Sequence, residues 1–236
     1  MTQEVLFQVI LLLSNTVQTI TGFAGTLLAM PFSIRVVGVE EAKAVLNVFT
    51  IMACLIITVQ NRKAINYKVL GKMIGGMLIG MLAGIWLFDR IPLPTLLKAY
   101  AVLVILVALK KLFIKREIAL PGWTMIIVLL AAGVIHGMFV SGGALLVVYA
   151  VSTLKEKDEF RATVAPVWVV LNSILIVSHY QAGYYNQTTI RAIAVSVVPL
   201  ILSIYIGNYL YKKINQDVFL KLTYILLLLS GASLLL

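Results

Sequence analysis

Cysteine is all but missing: Cys54 is the single one among 236 residues, which excludes an internal disulfide and a multi-thiol metal site. Within its apolar run it reads as a packing residue. Charge is equally scarce, 12% of the chain against roughly a quarter in a soluble domain of this size. The nine acidic residues (Glu4, Glu40, Glu41, Asp89, Glu117, Glu156, Asp158, Glu159 and Asp217) all fall at or beyond the ends of apolar runs. With no carboxylate inside a run, no acidic proton relay of the common pump kind is visible. No GxxxxGK[ST] sequence occurs, so this chain does not hydrolyse ATP through a P-loop. Two histidines and no buried acid make a poor nucleophile–base–orienter set for Ser141, and the chain does not read as an enzyme.

What is abundant is apolar surface. Hydrophobic residues make up 61% of the chain, which only a bilayer can accommodate, so the fold class is an all-α integral membrane protein. The net charge of +10 comes from 19 Lys and Arg placed between the apolar runs, where they act as topology signals rather than as a nucleic-acid surface. The first residues lack a basic n-region and carry Glu4, and their pattern recurs later, so they are expected to belong to the mature protein.

Six runs fit a simple membrane crossing of about 20 residues: 42–60, 68–88, 93–112, 160–180, 190–211 and 217–236. Two segments do not. Residues 4–36 and 122–154 are each 33 long, about 50 Å as one helix against a hydrocarbon core of about 30 Å. Each carries a glycine interruption, TGFAGT at 21–26 and FVSGGA at 139–144. The two are also similar at an offset of 118, which pairs Gly25 with Gly143, Glu41 with Glu159, Lys43 with Arg161 and Ala44 with Ala162. Past a five-residue insertion, Leu97 and Lys98 pair with Leu220 and Lys221. The expectation is two homologous halves, 1–118 and 119–236, each a broken hairpin (4–36 and 122–154) followed by three spans.

Charge chooses how the broken segments run. Single crossings would divide the Lys and Arg 9 against 10 between the two sides, whereas re-entrant hairpins divide them 5 against 14. The positive-inside rule favours hairpins, which leaves the two halves inverted and both termini outside. Non-helical backbone at membrane depth persists only beside protein or a wet cavity. Two such turns meeting near the midplane form a transporter-type site, with unpaired N–H groups and the positive helix end facing an anion.

The candidate binding residues follow from that placement. Gly22, Gly25, Gly142 and Gly143 let a ligand approach the backbone, unless they serve close helix packing. Gln18, Thr21, Thr26 and Ser141 supply polar groups, with Thr19 more at home bonding its own helix. His136 matches Gln18 in the repeat and can contact an anion, carry a proton or bond a neighbouring carbonyl. Asn47, Trp168 and Asn172 lie on the spans after each hairpin, and His179 beside Tyr180 is expected at the interface. Gly76, Gly80 and Gly84 recur every four residues, a face for internal packing or for a homodimer. Pro166 and Pro199 predict kinks with freed carbonyls at residues 162 and 195.

GFAGTLLAMP (22–31) resembles the glycine-rich, proline-ended motif of the TauE/SafE family, and VSGGALLVVY (140–149) with EFRAT (159–163) resembles its second copy. Ala24 and Thr26 stand where glycines are expected in the first copy, Ala144 and Tyr149 where a glycine and the proline are expected in the second. The resemblance spans the chain. It implies movement of small anions, often sulfite or organosulfonates, across the bacterial inner membrane, generally outward, with no established cofactor. The expected function is a secondary transporter of a small anion with H+ or Na+ as coupling ion. An anion channel could use the same hairpins, and an intramembrane enzyme is the weakest alternative.

Overall fold

The computed structural model describes residues 3–113 and 122–215, with the isolated positions 218, 221, 225, 228 and 232 beyond them. The described residues form ten α-helices and one short 3-10 turn, and no strand is present among them. They are α1 (Gln3–Thr21), α2 (Gly25–Val37), α3 (Val39–Gln60), α4 (Tyr67–Phe88), α5 (Leu93–Phe113), α6 (Gly122–Phe139), α7 (Gly143–Thr153), α8 (Lys157–Gln181), α9 (Gln187–Val195) and α10 (Val197–Lys213). Five of them are long and apolar enough to cross a membrane, or six if the α9–α10 pair, bent by 41°, is one span. The sixth simple span expected from sequence, 217–236, lies outside the described residues apart from those isolated positions.

Both over-long segments are interrupted at their glycines, α1 from α2 at residues 22–24 and α6 from α7 at 140–142. In each case the second helix returns alongside the first. Leu6 at the start of α1 and Phe32 near the end of α2 line one apolar groove together with Leu13 and Leu28. A side-chain carbon at Gly142 would stand 2.3 Å from the Ala132 carbonyl, ten residues back on α6. The element boundaries repeat as well: Thr21 and Phe139, Gly25 and Gly143, Val39 and Lys157 each lie 118 residues apart.

Glycine decides the closest helix contacts. The Gly76, Gly80 and Gly84 face is internal, packed on α6. A carbon added at Gly80 would meet the Leu130 carbonyl at 2.0 Å, and one at Gly84 the Val134 carbonyl at 2.2 Å. Gly133 and Gly137 return the contact against the Met77 and Met81 carbonyls, so the two backbones touch along several turns. The crossing has a counterpart where Gly207 of α10 closes on Thr16 and Thr19 of α1. Hydroxyls in these helices are largely satisfied by the preceding turn, as in Thr16 to the Leu12 carbonyl and Thr19 to the Asn15 carbonyl.

The helix ends gather into two sets. Asn66 donates to Thr163 and Glu159, and Lys157 to the Tyr211 and Ile214 carbonyls, which collects 61–67, 155–163 and 208–214 on one side. On the other, Lys43 lies over the Phe88 and Tyr184 rings. Of the two prolines expected to kink spans, only Pro199 lies near a break, at Ser196, whose hydroxyl donates to the Ala192 carbonyl. Helix α8 runs through the buried Pro166 without interruption.

Candidate functional site

The first break is built by its own upstream side chains. Helix α1 ends on Gly22 at φ +80°, whose N–H donates to the Gln18 carbonyl at 2.7 Å, an ending that favours glycine. The Thr21 hydroxyl donates to the Val17 carbonyl and accepts from the Phe23 and Ala24 N–H groups at 3.2 and 3.0 Å. Gln18 Oε1 accepts the Gly25 N–H at 2.7 Å while its Nε2 donates to Cys54 Sγ at 3.0 Å. Of the bare amides expected at this turn, those of Phe23, Ala24 and Gly25 are therefore capped, while the Thr26 N–H has no acceptor among the described residues. Backbone donors at such depth need partners, and a threonine one residue back and a glutamine four residues back supply them. Thr26, also expected at the site, is buried just inside α2.

The second break differs. Val140 takes φ +55°, a left-handed conformation costly for a β-branched residue, and its N–H donates to the His136 carbonyl at 2.7 Å. The Ser141 hydroxyl accepts from the Tyr100 phenol at 2.5 Å. The N–H groups of residues 141–145 find no acceptor among the described residues, and the ladder resumes with Leu146 to the Gly142 carbonyl. Here the open amides are present as expected.

The two breaks meet. A carbon at Gly143 would stand 2.7 Å from the Phe23 carbonyl, so only glycine allows this approach. Trp168 of α8 donates its indole N–H to the Gly22 carbonyl at 2.8 Å, and its ring lies 5.1 Å from that of His136. The Asn172 amide is near enough to act on His136, yet both His136 nitrogens and both Asn172 amide atoms lack a hydrogen-bond partner. Gln18, His136, Trp168 and Asn172 are all buried, so the arrangement is closed. A buried polar atom without a hydrogen-bond partner is costly, and His136 and Asn172 carry four of them.

Asn47 is not part of this cluster. It pairs with His179, Nδ2 to Nδ1 at 3.4 Å, and its Oδ1 has no partner. His179, expected at the interface, is instead only 3% exposed because α3 and the 182–186 loop cover it. Sequence reasoning passed over Cys54, Tyr100, Lys43 and Arg161 as site neighbours. The repeat held a signal for one of them: the offset that pairs Gln18 with His136 also pairs Cys54 with Asn172.

The family model of the sulfite exporter TauE/SafE family matches residues 6–234. The chain belongs to that family. Among curated proteins it is similar to the "Probable inner membrane transporter protein TsaS" of Comamonas testosteroni, 28% identical over 177 residues, which cover 74% of this chain and 74% of the relative. No solved structure matches the chain. As a TauE/SafE member the protein is a multi-pass transporter of the inner membrane and not an enzyme. The two motifs that carry the family resemblance are the two breaks that meet at Gly143 and Phe23.

Proposed function

We propose that the protein is a secondary transporter of a small sulfur oxoanion or organosulfonate, which binds between the two breaks and is exposed alternately to either side. The observation that carries the reading is the contact of the breaks beside His136 and Asn172, whose buried amide Nδ2 and imidazole N–H donors have no acceptor. The open amides at 141–145 and the α7 N-terminus offer an anion donors and a favourable dipole. Gln18, Thr21 and Thr26 stand at the first break, and Gln18 would exchange its bond to Gly25 for one to substrate. The closed packing favours a carrier over a standing pore.

The halves are 1–118 and 119–236, inverted about an axis in the membrane plane. Support comes from boundaries repeating at 118 residues and from paired contacts. Gly84 meets residue 134 while Gly207 meets residue 16, the same contact in each half once the insertion is counted. Because α4 and α5 carry the chain across twice, and 155–163 joins 61–67, the α6–α7 segment enters and leaves by one side. Helix α2 has 13 residues and α7 has 11, which reach about 20 Å and 16 Å into a core of about 30 Å from opposite faces. Their breaks then meet inside the bilayer.

A proton or sodium gradient drives the cycle. A homodimer would have to use another surface than the Gly76, Gly80 and Gly84 face, which α6 occupies. Proteoliposomes loaded with sulfite, thiosulfate, an alkylsulfonate or a small carboxylate test the reading. Saturating, counterflow-sensitive flux of a sulfur anion, driven by an imposed pH or Na+ gradient, is expected. Single-channel currents, or indifference to all sulfur anions, would overturn it.

A further inference from the structure

Two cations stand deep in the protein, one in each half, and no part of the binding site described above uses them. Lys43 is 3% exposed and Arg161 is 4% exposed. They lie 118 residues apart, so they are the same position of the two halves. Among the described residues neither makes an ion pair. Lys43 Nζ sits 3.7 Å from the centre of the Phe88 ring, and makes no hydrogen bond among the described residues. The Arg161 guanidinium lies 4.1 Å from the centre of the Tyr211 ring and donates one Nη2 bond to Asn208 at 2.7 Å, while its Nε has no partner. The nearest acidic groups are Glu40 and Asp89 for Lys43, and Asp158, engaged by the Tyr211 hydroxyl, for Arg161.

Placement gives the pair meaning. Arg161 lies directly against the first break, its Cγ and carbonyl 3.5 Å from where a carbon on Gly22 would be. Lys43 is one helical turn before Asn47 on α3, and the Asn47 group holds three more buried atoms without partners: Asn47 Oδ1, His179 Nε2 and the Tyr185 hydroxyl. An aromatic face satisfies part of a buried cation but accepts none of its hydrogen bonds. A buried charge left without a counter-ion is expensive. An oxyanion supplies acceptors for the Arg161 Nε–H at one place and for the Lys43 ammonium and the Tyr185 hydroxyl at the other, whereas Asn47 Oδ1 is itself an acceptor and Asn47 would serve through its Nδ2.

We propose that Lys43 and Arg161 are paired anion-binding stations on either side of the central breaks, the outer one completed by Asn47, His179 and Tyr185. The assignment of outer and inner faces rests on the transport reading given above. The anion is held first at the station of the face it enters, then passes to the amides of the breaks. Cation–aromatic contact keeps each charge in place while the station is empty. The ligand class is a small oxyanion bearing at least two acceptor oxygens, as in sulfite or a sulfonate.

The test uses full-length protein in right-side-out and inside-out vesicles, with sulfite as the probe. Lys43→Gln is expected to raise the apparent KM for sulfite roughly tenfold or more from the outer face and to leave the inner-face KM close to wild type. Arg161→Gln is expected to do the reverse. Lys43→Arg and Arg161→Lys, which keep the charge, restore affinity and show that the glutamine variants were not simply misfolded. A substrate-independent arm places a cysteine at Asn47 in a Cys54→Ser background. An anionic methanethiosulfonate applied from outside should modify it faster than a cationic one of equal size, and Lys43→Gln should abolish that bias. Equal KM values at both faces in Lys43→Gln, or no anionic bias at position 47, overturns the stations. Absence of sulfite flux in the wild type would instead overturn the transport reading, with the labelling arm still deciding the stations.

Discussion

The indole N–H of Trp168 bonds the carbonyl of Gly22 at 2.8 Å, tying the middle of α8 to the first break across 146 residues of sequence. The carbonyl at a left-handed helix end has lost its own ladder partner, and Trp168 replaces it. Trp168→Phe keeps the ring beside His136 and removes only that donor. A buried carbonyl left unsatisfied costs about 1–3 kcal/mol. The expected result is a lower unfolding midpoint in detergent together with reduced flux. An unchanged midpoint and unchanged flux would mean the bond does not hold the break.

Glycine substitutions separate packing from spectator positions. Gly80→Ala puts its new carbon 2.0 Å from the Leu130 carbonyl, a backbone atom that cannot step aside, so folded protein should fail to accumulate. Gly143→Ala meets the Phe23 carbonyl at 2.7 Å and forces the two breaks apart. That variant should insert normally yet lose flux roughly tenfold or more, the equivalent of about 1.4 kcal/mol of barrier. Gly75→Ala meets nothing within 4 Å, and should be neutral or stabilise by up to about 1 kcal/mol through helix propensity. Membrane yield and initial transport rates across the three variants decide the matter. Wild-type flux in Gly143→Ala would detach the contact from function.

How far this could be read beforehand depends on range. The breaks were legible because over-length and glycine content are local properties, and they lie at 22–24 and 140–142 as the glycines indicate. The capping of the first break was half legible, since Gln18 and Thr21 were picked out as polar but their bonds to Gly25, Phe23 and Ala24 depend on the turn's geometry. Burial of Lys43, Arg161 and His179 was not legible. A charge near a helix end looks interfacial until the covering residues are known, and these come from far along the chain: Phe88 and Tyr184 for Lys43, Tyr211 for Arg161. The partner of the Gly76, Gly80 and Gly84 face was open for the same reason, because Gly133 and Gly137 lie about fifty residues away.

Backbone conformation gives a separate forecast. Gly22 and Gly38 have φ of +80° and +85°, and neither has a neighbour closer than 3.5 Å to an added carbon. Alanine at Gly22 therefore costs the left-handed penalty of about 1–2 kcal/mol, and at Gly38, whose ψ of 166° lies in a region open almost to glycine alone, about 1–3 kcal/mol. Calorimetry or a thermal-shift series should find both variants destabilised, Gly38→Ala at least as much as Gly22→Ala. Flux should fall in Gly22→Ala alone, since Gly22 carries the carbonyl that Trp168 holds. Equal flux in the two would show that the left-handed turn at the first break serves stability only.

Sidedness provides the last forecast, and it bears on the whole arrangement. Glu40 and Glu156 are both exposed, at the starts of the two helices, α3 and α8, that follow the hairpins. If both hairpins re-enter, the chain between them crosses three times through α3, α4 and α5, which places these two positions on opposite faces. If each broken segment crosses once, the second crossing brings 156 back to the face of 40. Single cysteines at these positions in a Cys54→Ser background distinguish the cases, because the native thiol is buried and its removal leaves no competing target. An impermeant thiol reagent added to intact cells is expected to label position 40 and to reach position 156 only after permeabilisation. Labelling of both positions from outside would mean single crossings, remove the inversion of the halves and divide Lys and Arg 9 against 10, with no positive bias on either face.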